Sequence, residues 1–467
     1  FSMRFRPLKR CLRPRCRRPS NRSPRPASTA SSSNGTRSPF RFPAPAPAQA
    51  PAAAERLPED EVIYFLLPDR FENGDPRNDR GGLRGDRLRT GYDPAHKGFF
   101  HGGDITGLTR RLDYIAGLGA TAVWLSPVYR NKPVQGPPGQ ESAGYHGYWI
   151  TDFTEIDPHF GTRAEFRAFV DAAHARGLRV YMDIITNHTA DVIAYRECPA
   201  SACPYRSRAD FPEMAYTPFV PAGQEHAKVP GWLNDVSLYH NRGNSTFRGE
   251  SSTMGDFAGL DDLKTEDPRV VGGFIDIYGA WIDRFKVDGF RIDTAKHVNP
   301  EFWTAFAPAM IERAKANGIP NFHIFAEIAV GDFEPETSQV WTHISGLPTT
   351  LDFAFRKAVE LVIAKGQSPA IFSRLFAADA LYKGGEATTL RTPTFVSNHD
   401  LARFAYFARQ AFPDESMADT LKRVELANAL LFIARGVPVV YSGDEQGFVG
   451  HGDDQAARQD MFASRVA

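Results

Sequence analysis

The sequence predicts an α/β fold, a (β/α)8 barrel with a loop-rich subdomain inserted after strand three. Three observations carry this reading. From residue 61 onward, eight short apolar runs alternate with stretches of helical spacing. Such repeated units read as a parallel sheet, and eight of them close most simply into a barrel. One segment, 189–270, breaks the rhythm with many Gly, Pro, Ser and Asn, and is too long for a simple connection. Ionisable clusters close several of the apolar runs, at the end of a barrel where function is placed.

The elements follow in order. VIYFLL (62–67) is the first strand. In LTRRLDYIAGLG, Leu108, Leu112 and Ile115 recur at helical spacing before Gly119. AVWLSPV (122–128) is strand two. A capping box, Thr162 with Glu165, opens the next helix. Phe166, Phe169, Val170 and Ala173 form its buried stripe, and Gly177 suits its C-terminal cap. RVYMDII (179–185) is strand three. Beyond the insertion, Asp267-Pro268 starts a helix with Phe274, Ile277, Tyr278, Trp281, Ile282 and Phe285 on its apolar face. It leads into GFRID (289–293), strand four. Asn299-Pro300 starts another helix, Gly318 ends it, and FHIFAEI (322–328) is strand five. TTLDFAF (349–355), TFVSNHD (394–400) and PVVYSGDE (438–445) complete the eight. About twenty residues follow, so the expected barrel is truncated at its last helix and leaves an apolar face of strand eight uncovered.

The expected domains are a disordered tail over 1–60, the barrel over 61–188 and 271–467, and the inserted subdomain over 189–270. Hydrophobic residues make up 42% and charged residues 24%, which suits a large core. No run of eighteen apolar residues suggests a membrane span. Net charge is zero, yet residues 1–54 hold twelve Lys or Arg and no Asp or Glu. The remainder carries 43 basic against 55 acidic residues, which argues against nucleic acid as the main partner. The tail's Arg, Pro, Ser and Ala cannot bury enough apolar surface to order it, and it has no apolar core of a secretory signal.

The strand ends carry the chemistry. They bring Asp183 with Asn187-His188, then Arg291 with Asp293, then Glu327, then Asn398-His399-Asp400. Side chains alternate along a strand, so Arg291 and Asp293 share the inward face while Phe290 and Ile292 turn to the helices. A guanidinium beside Asp293 keeps its carboxylate ionised, as a nucleophile needs. Glu327 leaves the apolar FHIF run, where desolvation suits a general acid. Two carboxylates in different environments form the working pair of a glycosidase. YHGYW (145–149) adds three large aromatics that suit the apolar faces of sugars. The loop NGDPRND offers Asn73, Asp75, Asn78 and Asp79, oxygen donors suited to a hard cation such as Ca²⁺.

Taken together, DIITNH (183–188), GFRIDTAKH (289–297), FAEI (325–328) and FVSNHD (395–400) resemble the four signatures of the α-amylase superfamily of retaining glycoside hydrolases. GLDDLKTEDP (259–268) resembles a further short signature late in its inserted subdomain. The resemblance spans roughly 61–462 and is to bacterial α-amylases and cyclomaltodextrinase-like members. It implies retaining hydrolysis of α-1,4-glucosidic bonds in starch or maltooligosaccharides, through a covalent glycosyl-enzyme intermediate. The alternatives are cyclomaltodextrinase, neopullulanase or glucanotransferase activity, a non-catalytic sugar-binding protein, or an inactive truncated fragment.

By position it implies Asp293 as nucleophile, Glu327 as acid then base, and Asp400 as the group that grips and distorts the reacting sugar. Arg291, His188 and His399 would hold that sugar, with Asp183 orienting Arg291. Tyr148 would stack on the sugar and His146 touch it, while Lys296 and His297 face the leaving group. Asn187, Asp262 and the His297 carbonyl would bind a calcium between barrel and subdomain. In the NGDPRND loop, a second ion would be completed by Gly102-Gly103-Asp104. Cys198 and Cys203 read either as free thiols or as a small loop disulfide; the exported habit of the family favours the disulfide and a periplasmic or extracellular location. The family's C-terminal β-sandwich is not expected in this chain.

Overall fold

The computed structural model describes residues 55–199, 202–450, 452 and 454–462. The tail predicted over 1–60 therefore lies outside the described residues as far as 54. Residues 55–60 correct that boundary, because they dock on the body. The Arg56 guanidinium reaches the Thr121 and Gly177 carbonyls at 3.0 and 2.8 Å and pairs with Glu61 at 3.0 Å. One cation thus satisfies two backbone oxygens and a buried carboxylate, which holds the segment in place.

Eight parallel strands form one sheet: β1 (Ile63–Leu66), β2 (Ala122–Leu125), β3 (Arg179–Ile184), β4 (Gly289–Ile292), β5 (His323–Ala326), β6 (Thr349–Thr350), β7 (Pro393–Phe395) and β8 (Val437–Tyr441). Their spatial order is β6-β5-β4-β3-β2-β1-β8-β7. The two ends meet where Asp352 bridges Thr394 and the Asp352 N–H donates to the Pro393 carbonyl at 2.9 Å. The predicted (β/α)8 barrel is therefore the fold.

Two predicted strands are shorter than expected. TTLDFAF forms only the two-residue β6, because the Asp352 carboxylate accepts the Phe355 N–H at 2.7 Å and caps a helix, Phe353–Val359. β7 stops at Phe395, and Asn398 Oδ1 then accepts the N–H groups of Asp400 and Leu401 at 3.2 and 2.9 Å. Short polar side chains that bond the local backbone compete with a ladder.

The helices follow their sequence signals. α1 (Arg163–Ala175) has both bonds of its capping box and buries the four predicted residues. Such a cap contributes about 1 kcal/mol. α2 (Pro268–Phe285) is capped by Asp267 and buries the predicted aromatic face. Its Tyr278 hydroxyl accepts the Ile185 N–H at 3.0 Å and donates to the Ile185 carbonyl. That pins the end of β3, where the polar cluster begins. α3 (Pro300–Ala316) follows β4, and α4 (Met417–Ile433) precedes β8.

On β8, Val437, Val439 and Tyr441 are buried and Pro438 and Val440 half-buried. A hollow of about 460 Å³ on the outer wall is lined by Val62, Val440, Leu421, Val424 and Phe432. Within the insertion, His188–Thr189 pairs antiparallel with Asp261–Asp262, and Ala194–Tyr195 with Pro218–Phe219. Cys198 and Cys203 form the disulfide. No helix among the described residues is long and apolar enough to cross a membrane.

Candidate active site

Register brings the site together. Arg291 on β4 lies opposite Asp183 on β3, so both side chains enter the barrel on the same level. Arg291 Nη1 donates to both Asp183 oxygens at 2.7 and 3.0 Å and to Asp293 Oδ1 at 2.8 Å. Its Nη2 pairs with Glu327 Oε2 at 2.9 Å. Asp183 also accepts the Tyr148 hydroxyl at 3.0 Å and the Trp124 indole N–H at 3.3 Å. It orients Arg291, as expected, and burial pushes its pKa up to about 7 against the pull of that guanidinium.

The ends of β4 and β5 are stitched together. The Glu327 N–H donates to the Ile292 carbonyl at 2.8 Å, and the Thr294 N–H donates to Glu327 Oε2 at 2.8 Å. Thr294 reaches that carboxylate with φ +46, a left-handed conformation that is strained for a β-branched residue. Nothing in the sequence marks this turn.

Two electrostatic expectations change. One guanidinium serves three carboxylates here, not Asp293 alone. Burial raises the Asp293 pKa well above the usual carboxylate value, Arg291 opposes this, and Glu327, Asp183 and Asp400 add to it. The low value expected from a private Arg291 partner is thus not found. Glu327, expected in an apolar pocket, instead lies between a guanidinium and a backbone donor.

Around these groups, the Tyr148 hydroxyl meets His399 Nε2 at 2.6 Å, and His146 and His399 each stack on the Tyr148 ring. Burial lowers the pKa of His146 and His399 well below the usual value and brings His188 to about 3, so all three are neutral donor–acceptors. His188 Nε2, His399 Nδ1 and Arg291 Nε are buried without a partner among the described residues. Asp400 is open, its side chain 40% exposed, and the Arg458 guanidinium holds it at 3.2 Å. Lys296 Nζ donates to the Ala329 carbonyl beyond β5.

His297 is held on its Nδ1 side by the inserted subdomain. Its Nδ1 lies 2.8 Å from the Ser252 carbonyl, and the ring sits edge-on to Phe247 and Phe257. The subdomain therefore fixes the orientation of this imidazole. Of the three YHGYW aromatics, Tyr145 is fully buried under the Arg70 guanidinium, 3.8 Å from its ring centroid, and is closed to ligand. Tyr148 and Trp149 stay half-exposed.

Arg458 was invisible to motif reading. Beyond Asp400 it bonds the His399 carbonyl at 2.9 Å and the Tyr145 hydroxyl at 3.3 Å. Its segment, QAARQDMF, has no helical or strand period, and apart from Asp454 four residues back at 3.0 Å, the partners His399, Asp400 and Tyr145 lie more than fifty residues away. The one available signal was an Arg placed after the last strand end.

Paired carboxylates on neighbouring strand ends, beside an open third one, are groups of the kind that glycosidases use. The family profile described as the catalytic domain of alpha amylase matches residues 65–466. The chain belongs to the α-amylase family. It is 45% identical to an alpha-amylase of Streptomyces lividans over 433 residues, 87% of this chain and 47% of that one. It is 31% identical to a cyclomaltodextrin glucanotransferase of Bacillus licheniformis, across 86% of this chain and 51% of that protein. The chain thus spans about half the length of these curated relatives. Among solved structures, an Anoxybacillus alpha-amylase superposes with TM-score 0.67 at 29% identity, covering 87% of this chain and 75% of that one. CldA, described as a three-domain cyclomaltodextrin glucanotransferase, gives TM-score 0.70 at 28% identity, covering 86% and 76%.

The α-amylase resemblance implies calcium, and the side chains fit it at two places. Asn187 Oδ1 is buried without a partner among the described residues. Leu263 N donates to the Asn187 carbonyl, which places Asn187 beside Asp262. His240 Nδ1 holds Asp262 Oδ2 at 2.6 Å, the kind of outer support that ligating carboxylates receive. In the NGDPRND loop, Asn73 Oδ1 and Asn78 Oδ1 are likewise buried and unpartnered among the described residues. The Asp79 and Asp104 carboxylates are buried beside them. A Cβ on Gly102, φ +93, would lie 2.5 Å from Asn73 Nδ2 and 2.7 Å from Asp79 Oδ1, so glycine keeps this cradle open. Asp75 departs from the expected set, since its carboxylate turns outward to Arg77 at 2.7 Å. Among the described residues no cage of three His, Cys, Asp or Glu exists. The side-chain donors are three amide oxygens and three carboxylates, an all-oxygen set suited to a hard cation.

Proposed function

We propose that this chain hydrolyses α-1,4-glucosidic bonds of starch or maltooligosaccharides with retention. One observation carries the reading: Arg291 clamps Asp293 and Glu327 together at 2.8 and 2.9 Å on adjacent strand ends. Asp293 attacks the anomeric carbon while Glu327 gives its proton to the departing glycosidic oxygen. The glucan beyond the bond leaves, and an ester joins Asp293 to the sugar. Glu327, now ionised, takes a proton from water, whose oxygen opens the ester and frees Asp293. Asp400, exposed and steered by Arg458, binds sugar hydroxyls. Tyr148 offers a ring, and the unpartnered His188 Nε2 and the neutral His146 and His399 face that sugar as donors or acceptors.

Calcium, when bound, would join barrel to subdomain through Asn187, Asp262 and the His297 carbonyl, and brace the loop through Asn73, Asn78, Asp79 and Asp104 with Gly102. It supplies structural charge, not a chemical step. The Cys198–Cys203 disulfide supports an oxidising location, outside the cell or in the periplasm.

Asp293→Ala tests the reading. Starch hydrolysis should fall by more than about 10³-fold with the fold intact; activity within about tenfold of the parent sinks it. A second reading, cyclomaltodextrinase or glucanotransferase activity, is favoured by the NGDPRND cradle and the glucanotransferase likeness. Sugars and water compete for the same ester, so comparing products from starch and cyclodextrin separates the two.

A further inference from the structure

A second hollow contains none of the strand-end residues described above. It occupies about 600 Å³ on the outer wall, in the seam between α2 and the inserted subdomain, within the size range of ligand pockets. Trp232 lies along it, half-exposed, packed edge-on against Phe274 at 5.7 Å. The indole rests on Gly273, where a Cβ would stand 2.4 Å from its Cζ2. Its N–H makes no hydrogen bond among the described residues. Asp276 and Arg284 line the same hollow, are exposed, and make no ion pair or hydrogen bond among the described residues.

This combination is selective. An aromatic face suits the C–H face of a pyranose ring, and a free carboxylate and a free guanidinium suit neighbouring hydroxyls. The two charges cancel, so neither an anion nor a cation is favoured. Arg269, which also borders the hollow, is already held by Asp267 at 3.0 Å. A purely apolar helix or peptide would leave Asp276 and Arg284 unpaired, at a cost.

From this we infer that the Trp232 hollow is a non-catalytic binding site for a neutral α-glucan chain. The choice of glucan rests on the activity proposed above. The site would hold one part of a polymer while another enters the barrel mouth.

Gly272 provides a clean block. It lines the hollow on the exposed side of α2, and a Cβ there meets nothing within 4 Å. The experiment is native electrophoresis in gels with and without soluble starch, using Asp293→Asn protein as parent. Adding Gly272→Leu or Trp232→Ala should weaken starch retardation about fivefold. In the active background, both should keep kcat/KM on maltotriose within about twofold of the parent. Retardation of Gly272→Leu equal to its parent overturns the inference. A chain inactive on maltotriose that still loses retardation with Gly272→Leu keeps this site and sinks the hydrolase reading instead.

Discussion

Arg291 Nη2 lies 2.9 Å from Glu327 Oε2, while the other end of the same fork holds Asp293 and Asp183. Asp293 and Glu327, the proposed nucleophile and acid, are therefore electrostatically linked through one cation. Removing that cation affects both, and the direction is fixed by the geometry.

Arg291→Gln removes the charge that opposes the burial-driven rise of the Asp293 pKa. Asp293 must be ionised to attack, so the acidic limb of the kcat/KM–pH profile should move to higher pH. The drop at the optimum should be at least about 10²-fold. An unmoved acidic limb would contradict the shared-cation arrangement.

Glu327→Gln keeps the Thr294 N–H contact but cannot donate a proton. Hydrolysis of maltooligosaccharides should fall about 10²–10⁴-fold. A glucosyl fluoride substrate, whose leaving group needs no proton, should lose far less in its first step. Equal losses on both substrates would remove Glu327 from the acid role.

Arg458→Ala frees Asp400 and the His399 carbonyl together. Loss of kcat/KM should reach about tenfold or more with little change in Tm. Arg458→Lys should not restore it, because an ammonium cannot reproduce the fork reaching Tyr145, His399 and Asp400. Full rescue by lysine would reduce the role to simple charge.

Chelation of calcium should lower Tm by about 5 °C or more, reversibly on adding Ca²⁺. Asn187→Ala and Asn73→Ala should each remove part of that response. A chelator-insensitive parent would exclude both sites.

Much of the scaffold was readable from local pattern. The Thr162–Glu165 capping box, the α2 aromatic stripe and the inward pairing of Arg291 with Asp293 depend on spacing of a few residues, and spacing is what a sequence displays. TTLDFAF misled because Asp352 is a cap, and an apolar run reads alike in strand and helix. That Tyr145 is closed to ligand is not legible locally, because Arg70, which covers it, is distant in sequence.

The sequence by itself determined the barrel and which strand ends carry charge, Asp293, Glu327 and Asp400 among them. Tertiary structure decided how those charges share one guanidinium, that His297 turns to Ser252, that Thr294 bends to reach Glu327, and that Arg458 steers Asp400. The reason is physical. Periodicity and capping are local, whereas burial and Coulomb interaction depend on distances between strands that are set only when the barrel closes.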